Sequence, residues 1–166
     1  MTSPSPAAAT ARPVRTRPAE PGDARALWQL MHELAVFEGY AAQFKVTERD
    51  VLERGLGPPA TRQFTAIVAE APAGELAGYA VIYAIPFTYD LRPTLVLKEL
   101  FVVEGRRSAG AGTALMAAVL SHARATGCGR LRWQVLPANR RAQAFYRGFG
   151  GAPDCQWDSW ILEVDA

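Results

Sequence analysis

Between Val102 and Leu115 the chain passes from an apolar run through Glu104-Gly105-Arg106-Arg107 into Ser108-Ala109-Gly110-Ala111-Gly112-Thr113, a stretch with little or no side chain. Successive backbone N–H groups in such a segment can converge on one anion, and a helix starting beyond it adds the positive end of its dipole. Arg107 places a cation at the edge of the loop. The chemistry offered is phosphate binding. An ordinary strand-to-helix turn would use the same residues.

A second reactive group stands downstream. Asn139 to Gly150 reads as a short helix ending in glycine, and it carries Tyr146. A phenol with a reference pKa of about 10 stays protonated near neutral pH and can hand its proton to a basic partner. Ala142, Phe145, Tyr146 and Phe149 also have the spacing of a buried helix face, and Asn139 is a good residue for capping a helix start.

The elements that must carry these groups follow from periodicity and turn chemistry. Val14 to Arg17 is a first strand, and Leu27, Leu30, Met31, Leu34 and Phe37 repeat at helical spacing over Ala24 to Phe37. Thr47 and Asp50 resemble a capping box opening a second short helix that stops near Gly57-Pro58-Pro59. Phe64 to Glu70 and Leu76 to Ile85 flank a turn at Ala71-Pro72-Ala73-Gly74 and pair as a hairpin. Thr94 to Val103 is a further strand. A helix from about Gly112 to Ala125 closed by Gly127, a strand Leu131 to Leu136, the Asn139 helix and a terminal strand near Trp160 to Val164 complete the order.

Antiparallel strands followed by one strand-helix-strand unit predict an α+β fold, a mixed sheet with helices on its faces. A dinucleotide-binding unit would need a third glycine after Gly112 and an acid closing the next strand. The chain has Leu115 and Gln134-Val135-Leu136-Pro137 at those places.

The 166 residues suit one domain, expected over 13–166 behind a disordered tail over 1–12. Eighteen basic and sixteen acidic residues are well mixed, giving +2, which argues against a dedicated nucleic-acid surface. Arg106, Arg107, Arg140, Arg141 and Arg147 nevertheless gather around the two motifs. Cys128 and Cys155 lack metal or disulfide spacing, and His32 and His122 have no metal-ligand partners in sequence, so no metal is expected and the thiols read as reduced, in the cytoplasm. No segment reaches the twenty apolar residues of a membrane span.

Arg107-Ser108-Ala109-Gly110-Ala111-Gly112 together with Asn139, Ala142, Phe145 and Tyr146 resembles the Gcn5-related N-acetyltransferase (GNAT) family, with its Arg/Gln-x-x-Gly-x-Gly/Ala loop and its Asn…Ala…Phe-Tyr helix. The resemblance implies a central, mostly antiparallel sheet flanked by helices and acetyl-CoA as cofactor, its pyrophosphate on the loop. Carried over by position, the cofactor-binding residues are Leu100, Phe101 and Val102 on a splayed strand, then Arg107, Ser108, Ala109, Gly110, Ala111, Gly112 and Thr113, and Asn139, Arg141 and Ala142. Tyr146 is the acid.

From His32-Glu33-Leu34-Ala35-Val36-Phe37-Glu38 through Phe87-Thr88-Tyr89-Asp90 to Trp160, the chain is similar to the diamine acetyltransferases acting on spermidine, spermine or thialysine. That branch implies a small-molecule amine substrate and a homodimer. Glu38, Asp90, Glu99 and Asp158 become candidates for holding a cationic amine, and Glu99 for moving its proton. Lys98 departs from the branch, which usually has an acid there. A cation facing the amine would repel a polycation by about 1 to 4 kcal/mol at contact, depending on local dielectric. Arg92 departs where an aromatic residue is common, so Lys98 and Arg92 are candidates for pairing with a substrate carboxylate. Simple strand alternation would instead turn Lys98 to the face opposite Glu99. Two rivals use the same motifs: an acyl-CoA-binding sensor without turnover, and an enzyme acetylating protein amines.

Overall fold

A computed structural model describes residues 14–107 and 110–164. The tail expected over 1–12 and the loop residues Ser108 and Ala109 lie outside them. Two compact units divide at Trp133 and Gln134.

The first unit is built on a five-stranded sheet in the order of the chain: β1 (Arg15–Pro18), β2 (Thr65–Glu70), β3 (Leu76–Ile85), β4 (Thr94–Val102) and β5 (Arg130–Trp133). The first four strands pair antiparallel, and β5 pairs parallel to β4. Parallel pairing needs a crossover, supplied by α3 (Ala111–Ala125), which ends where Gly127 turns left-handed at φ +69°. α1 (Ala24–Glu38) and α2 (Glu48–Val51) precede β2. At α2 the capping box forms in full: the Thr47 hydroxyl accepts from the Asp50 N–H at 3.1 Å and the Asp50 carboxylate accepts from the Thr47 N–H at 3.0 Å. The chain then widens into a π-turn over Leu52–Leu56 rather than continuing as α-helix.

Alternation along the strands separates two apolar layers. Tyr79, Val81, Phe101, Ala66 and Val68 pack with Leu27, Leu30, Met31 and Leu34 of α1 and with Val51 and Leu56. Ile67, Ala80, Ile82, Leu95 and Leu97 are buried on the other side, where α3 contributes Leu115, Met116 and Val119. Each large side chain fully withdrawn from water contributes about 1.5–3 kcal/mol. Arg17 ties the sheet edge to the start of α1 by donating to two carboxylates, Asp23 at 2.6 Å and Glu70 at 3.0 Å.

Three sequence expectations are corrected. The strand expected over Leu131 to Leu136 stops at Trp133, three residues early. Trp160 to Val164 forms no strand; these residues are exposed and irregular, and the second unit holds no other strand among its described residues with which they could pair. Alternation also fails in β4. Glu99 lies opposite Val81 and Leu97 opposite Ile82, so Lys98 is an extra residue in a bulge, and the argument that turned it away from Glu99 does not hold.

The second unit contains α4 (Arg140–Arg147). The Asn139 side chain caps it, accepting from the Ala142 N–H at 3.0 Å, and Gln143 reaches back to the Pro137 carbonyl at 2.9 Å. Among the described residues no helix is long and apolar enough to cross a membrane.

Candidate active site

The first unit's site is organised by where β4 loses its neighbour. β5 pairs only with Thr94 to Leu97, so beyond the Lys98 bulge the β5-side edge of β4, through Glu99, Leu100, Phe101 and Val102, has no strand partner. Backbone groups along that edge are not tied into the sheet on that side, and the Val102 carbonyl is instead engaged by Arg107. On the other side β3 approaches closely at Gly78, where a Cβ would lie 2.4 Å from the Phe101 carbonyl oxygen. Only glycine fits, and the second half of β4 is held firmly from that side alone.

At the end of β4 the chain turns through Glu104–Arg106 toward α3. Arg107 Nε donates to the Val102 carbonyl at 3.0 Å, and its guanidinium lies 5.0 Å above the Phe37 ring and 6.0 Å from that of Phe101. Gly110 is left-handed at φ +79° and precedes α3 with no side-chain cap and no acid in the first turn. The N–H groups of Ala111, Gly112 and Thr113 therefore form a helix start that its N-cap side chain does not cover, which suits an anion. Ser108 and Ala109, expected in the same cradle, are outside the described residues.

On the α1 side of the sheet, phenols and carboxylates gather. Tyr79 is fully buried, and its hydroxyl donates to Glu99 Oε2 at 2.7 Å. Burial pushes the Glu99 carboxyl above its ordinary range, opposed by the Tyr79 hydrogen bond and the Lys98 charge and reinforced by Glu38. Burial and the charges of Glu99 and Glu38 also raise the phenols of Tyr40 and Tyr79. Glu38 is the last residue of α1, before the left-handed Gly39 at φ +84°, and no basic residue occupies that last turn. An acid at the negative end of a helix dipole is the reverse of the stabilising arrangement. Glu38 and Glu99 thus bring two acids into one region, as a site for an ammonium group would, with Lys98 the cation acting on Glu99.

The other substrate candidates do not join it. Asp90 shapes its own loop: its Oδ1 accepts from the Thr88 hydroxyl at 2.8 Å and the Arg92 N–H at 3.1 Å, which holds the carboxyl below its ordinary range. Arg92 turns toward the Cys128 carbonyl, 3.5 Å away. Both precede β4, whereas Glu99 stands five residues beyond the first residue of that strand, about 16 Å at some 3.3 Å per residue. Lys98 is exposed at the bulge.

In the second unit Tyr146 is half-buried on α4, its ring meeting that of Phe145 edge-on at 5.2 Å between centroids. Arg141 is exposed, and Ala142 offers its N–H to the Asn139 cap. Asp158 is exposed in the irregular segment that follows. Among the described residues no group of three or more His, Cys, Asp or Glu side chains is arranged to hold a metal.

The Acetyltransferase (GNAT) family model matches residues 27–150, which include β4, the start of α3 and α4. The chain belongs to the GNAT acetyltransferase family. It is 29% identical over 154 residues to the thialysine N-epsilon-acetyltransferase of Bos taurus, covering 89% of each chain. It is 27% identical over 150 residues to the uncharacterized N-acetyltransferase YhfO of Bacillus subtilis (strain 168), covering 90% of this chain and 97% of that one. Among solved structures, an aminoglycoside acetyltransferase from an uncultured soil metagenomic sample, in complex with sisomicin, superposes with a TM-score of 0.76 at 15% identity, over 92% of this chain and 97% of that one. The GNAT assignment makes the chain an N-acetyltransferase.

Tyr79 and Tyr40 were not singled out by sequence reasoning. Tyr79 stands within an apolar strand where tyrosine is ordinary core, and its partner is twenty residues away. The only available signal was the polar pair Lys98-Glu99 interrupting an apolar run.

Proposed function

We propose that this GNAT protein transfers the acetyl group of acetyl-CoA to a primary amine of a small molecule, with a thialysine-like amino acid favoured over a polyamine. The observation that carries the reading is the half-buried Glu99, bonded to Tyr79 and feeling the charge of Glu38 at the end of α1. Lys98 weighs against a polycationic acceptor, because its charge is felt at Glu99 from the adjoining residue. The relative named thialysine N-epsilon-acetyltransferase points the same way.

Acetyl-CoA, when bound, supplies an acetyl group activated as a thioester. The start of α3 and Arg107 hold its phosphates, and the unpaired edge of β4 through Leu100, Phe101 and Val102 offers N–H donors to its carbonyl-bearing part. Asn139, Arg141 and Ala142 make further cofactor contacts. Glu99 takes a proton from the acceptor ammonium, leaving a neutral amine whose nitrogen forms the new C–N bond as the C–S bond breaks. Tyr146 donates its proton to the departing thiolate sulfur and recovers one from the acylated nitrogen through solvent. The attack is direct, with no acylated protein side chain.

A homodimer in the cytoplasm completes the reading. Tyr83, Ile85, Phe87, Tyr89 and Leu91, at alternate positions from the end of β3 into the following loop, are exposed, which suits a second copy.

Release of free thiol from acetyl-CoA tests the reaction, with spermidine, putrescine, thialysine, lysine and an aminoglycoside as acceptors. The expected result is turnover with thialysine or lysine exceeding that with the polyamines. Faster polyamine turnover would overturn the preference, and binding of acetyl-CoA without turnover on any amine or on peptide N-termini would favour the sensor reading.

A further inference from the structure

We propose that Tyr79 is the positioning residue for Glu99: its buried phenol pins Oε2, so that Oε1 is the carboxyl oxygen presented to the acceptor ammonium. The inference rests on the assignment of Glu99 as the proton acceptor. Three observations lead to it.

Tyr79 has no exposed surface and its hydroxyl makes a 2.7 Å bond to Glu99 Oε2, a length typical of a strong O–H to carboxylate interaction. The bond engages Oε2 and leaves Oε1 as the carboxylate's other oxygen. The contact is possible because of the bulge. By inserting Lys98, β4 brings Glu99 opposite Val81 and Phe101 opposite Tyr79, so that Glu99 joins the face carrying Tyr79 instead of the α3 face that regular alternation from Leu97 would give it. The bulge aims the acid and the phenol holds it.

The phenol is itself fixed. Its ring is fully withdrawn from water in the buried cluster that also holds Leu27, Leu30, Val81 and Phe101, with 6.3 Å between the Tyr79 and Phe101 centroids, which restricts its movement. The charged groups acting on Glu99 include Glu38, the last residue of α1, and Lys98 on β4, while Tyr40, just beyond α1, itself feels the Glu99 charge. Glu38 opposes ionisation of Glu99, Lys98 and Tyr79 favour it, and of the two favourable groups only Tyr79 is buried and directional. A charged carboxylate with one oxygen anchored has a single defined direction in which to take a proton.

The test compares wild-type protein with Tyr79→Phe, with Glu99→Gln and with 3-fluorotyrosine installed at position 79 alone. Two readouts are used: the carboxyl-carbon NMR titration of Glu99 in the free protein, and the acidic limb of kcat against pH. Removing the hydroxyl in Tyr79→Phe should move both to higher pH and lower kcat about 10- to 100-fold, with KM for acetyl-CoA unchanged, the size of loss expected when an orienting partner is removed. The more acidic fluorinated phenol should move both to lower pH, and it keeps the side chain's shape should Tyr79→Phe fail to fold. If Glu99→Gln abolishes the limb while neither Tyr79 substitution moves it, the positioning role is overturned and the role of Glu99 stands. If Glu99→Gln leaves the limb and the rate in place, the assignment of Glu99 fails, and the positioning role with it.

Discussion

Arg107 Nε donates to the carbonyl oxygen of Val102, so the first residue of the anion loop is fastened to the last residue of β4. The bond fixes where the guanidinium stands while its stacking on Phe37 sets the plane. Lysine can supply the charge but neither the fork nor the stacking. Arg107→Lys should therefore weaken coenzyme A about 10-fold or more, the loss of one charged hydrogen bond worth about 1.5–3 kcal/mol. Calorimetric titration with coenzyme A measures this, and an unchanged Kd would remove Arg107 from the cofactor site.

Tyr146→Phe keeps the aromatic packing with Phe145 and deletes only the proton. Turnover should fall between about 10²- and 10⁴-fold with coenzyme A affinity unchanged. Steady-state kinetics paired with binding separates the two effects; a full rate in the phenylalanine variant would mean that the thiolate gets its proton elsewhere.

Asn139 already has one demonstrable task, capping α4 through the Ala142 N–H. Asn139→Ala should cost about 1 kcal/mol of stability. Asn139→Asp preserves the cap and adds a negative charge, so it should restore the melting temperature yet weaken coenzyme A. Restoration of both would assign Asn139 to the cap alone.

Glu99 carries a sign-definite pH signature. Its folded-state pKa lies above the ordinary carboxyl value of 4.5, so its contribution to stability is fully present below that value and is lost as pH rises through the raised one. Asp23, Asp50 and Asp90 are shifted downward and act oppositely, losing their contributions as the solution becomes more acidic. Denaturant unfolding at a series of pH values should show wild-type stability declining relative to Glu99→Gln above about pH 4.5. Parallel curves would place Glu99 in water-like surroundings.

Phe87 and Tyr89 are 82% and 86% exposed, so serine at both should change monomer stability by no more than about 0.5 kcal/mol. If they cover a second copy, sedimentation should change from dimer to monomer. A wild-type monomer, or a variant still dimeric, would discard that surface.

The elements with local causes were legible in the residues. Leu27, Leu30, Met31 and Leu34 mark the buried stripe of α1 by spacing alone, and Thr47 with Asp50 marks the start of α2 because both halves of the box lie within one turn. The asparagine at 139 announced its helix start for the same reason. Features with nonlocal causes were not legible. The bulge at Lys98 depends on which β3 residue each β4 residue meets, and the Tyr79–Glu99 bond depends in turn on the bulge. Trp160 to Val164 has the composition of a strand, but composition does not supply a neighbouring edge.

β4 is one strand with a boundary inside it. Thr94 to Leu97 is gripped on both flanks, while Glu99 to Val102 is gripped on one. Anyone wishing to redirect this protein to a new acceptor has a map in that division: diversity introduced before Lys98 will be spent on chains that fail to assemble, whereas diversity introduced from Lys98 onward falls on a surface whose shape the sheet does not dictate from the β5 side. Gly78 sets the limit to such redesign, since the neighbouring carbonyl of Phe101 leaves it no room for any side chain.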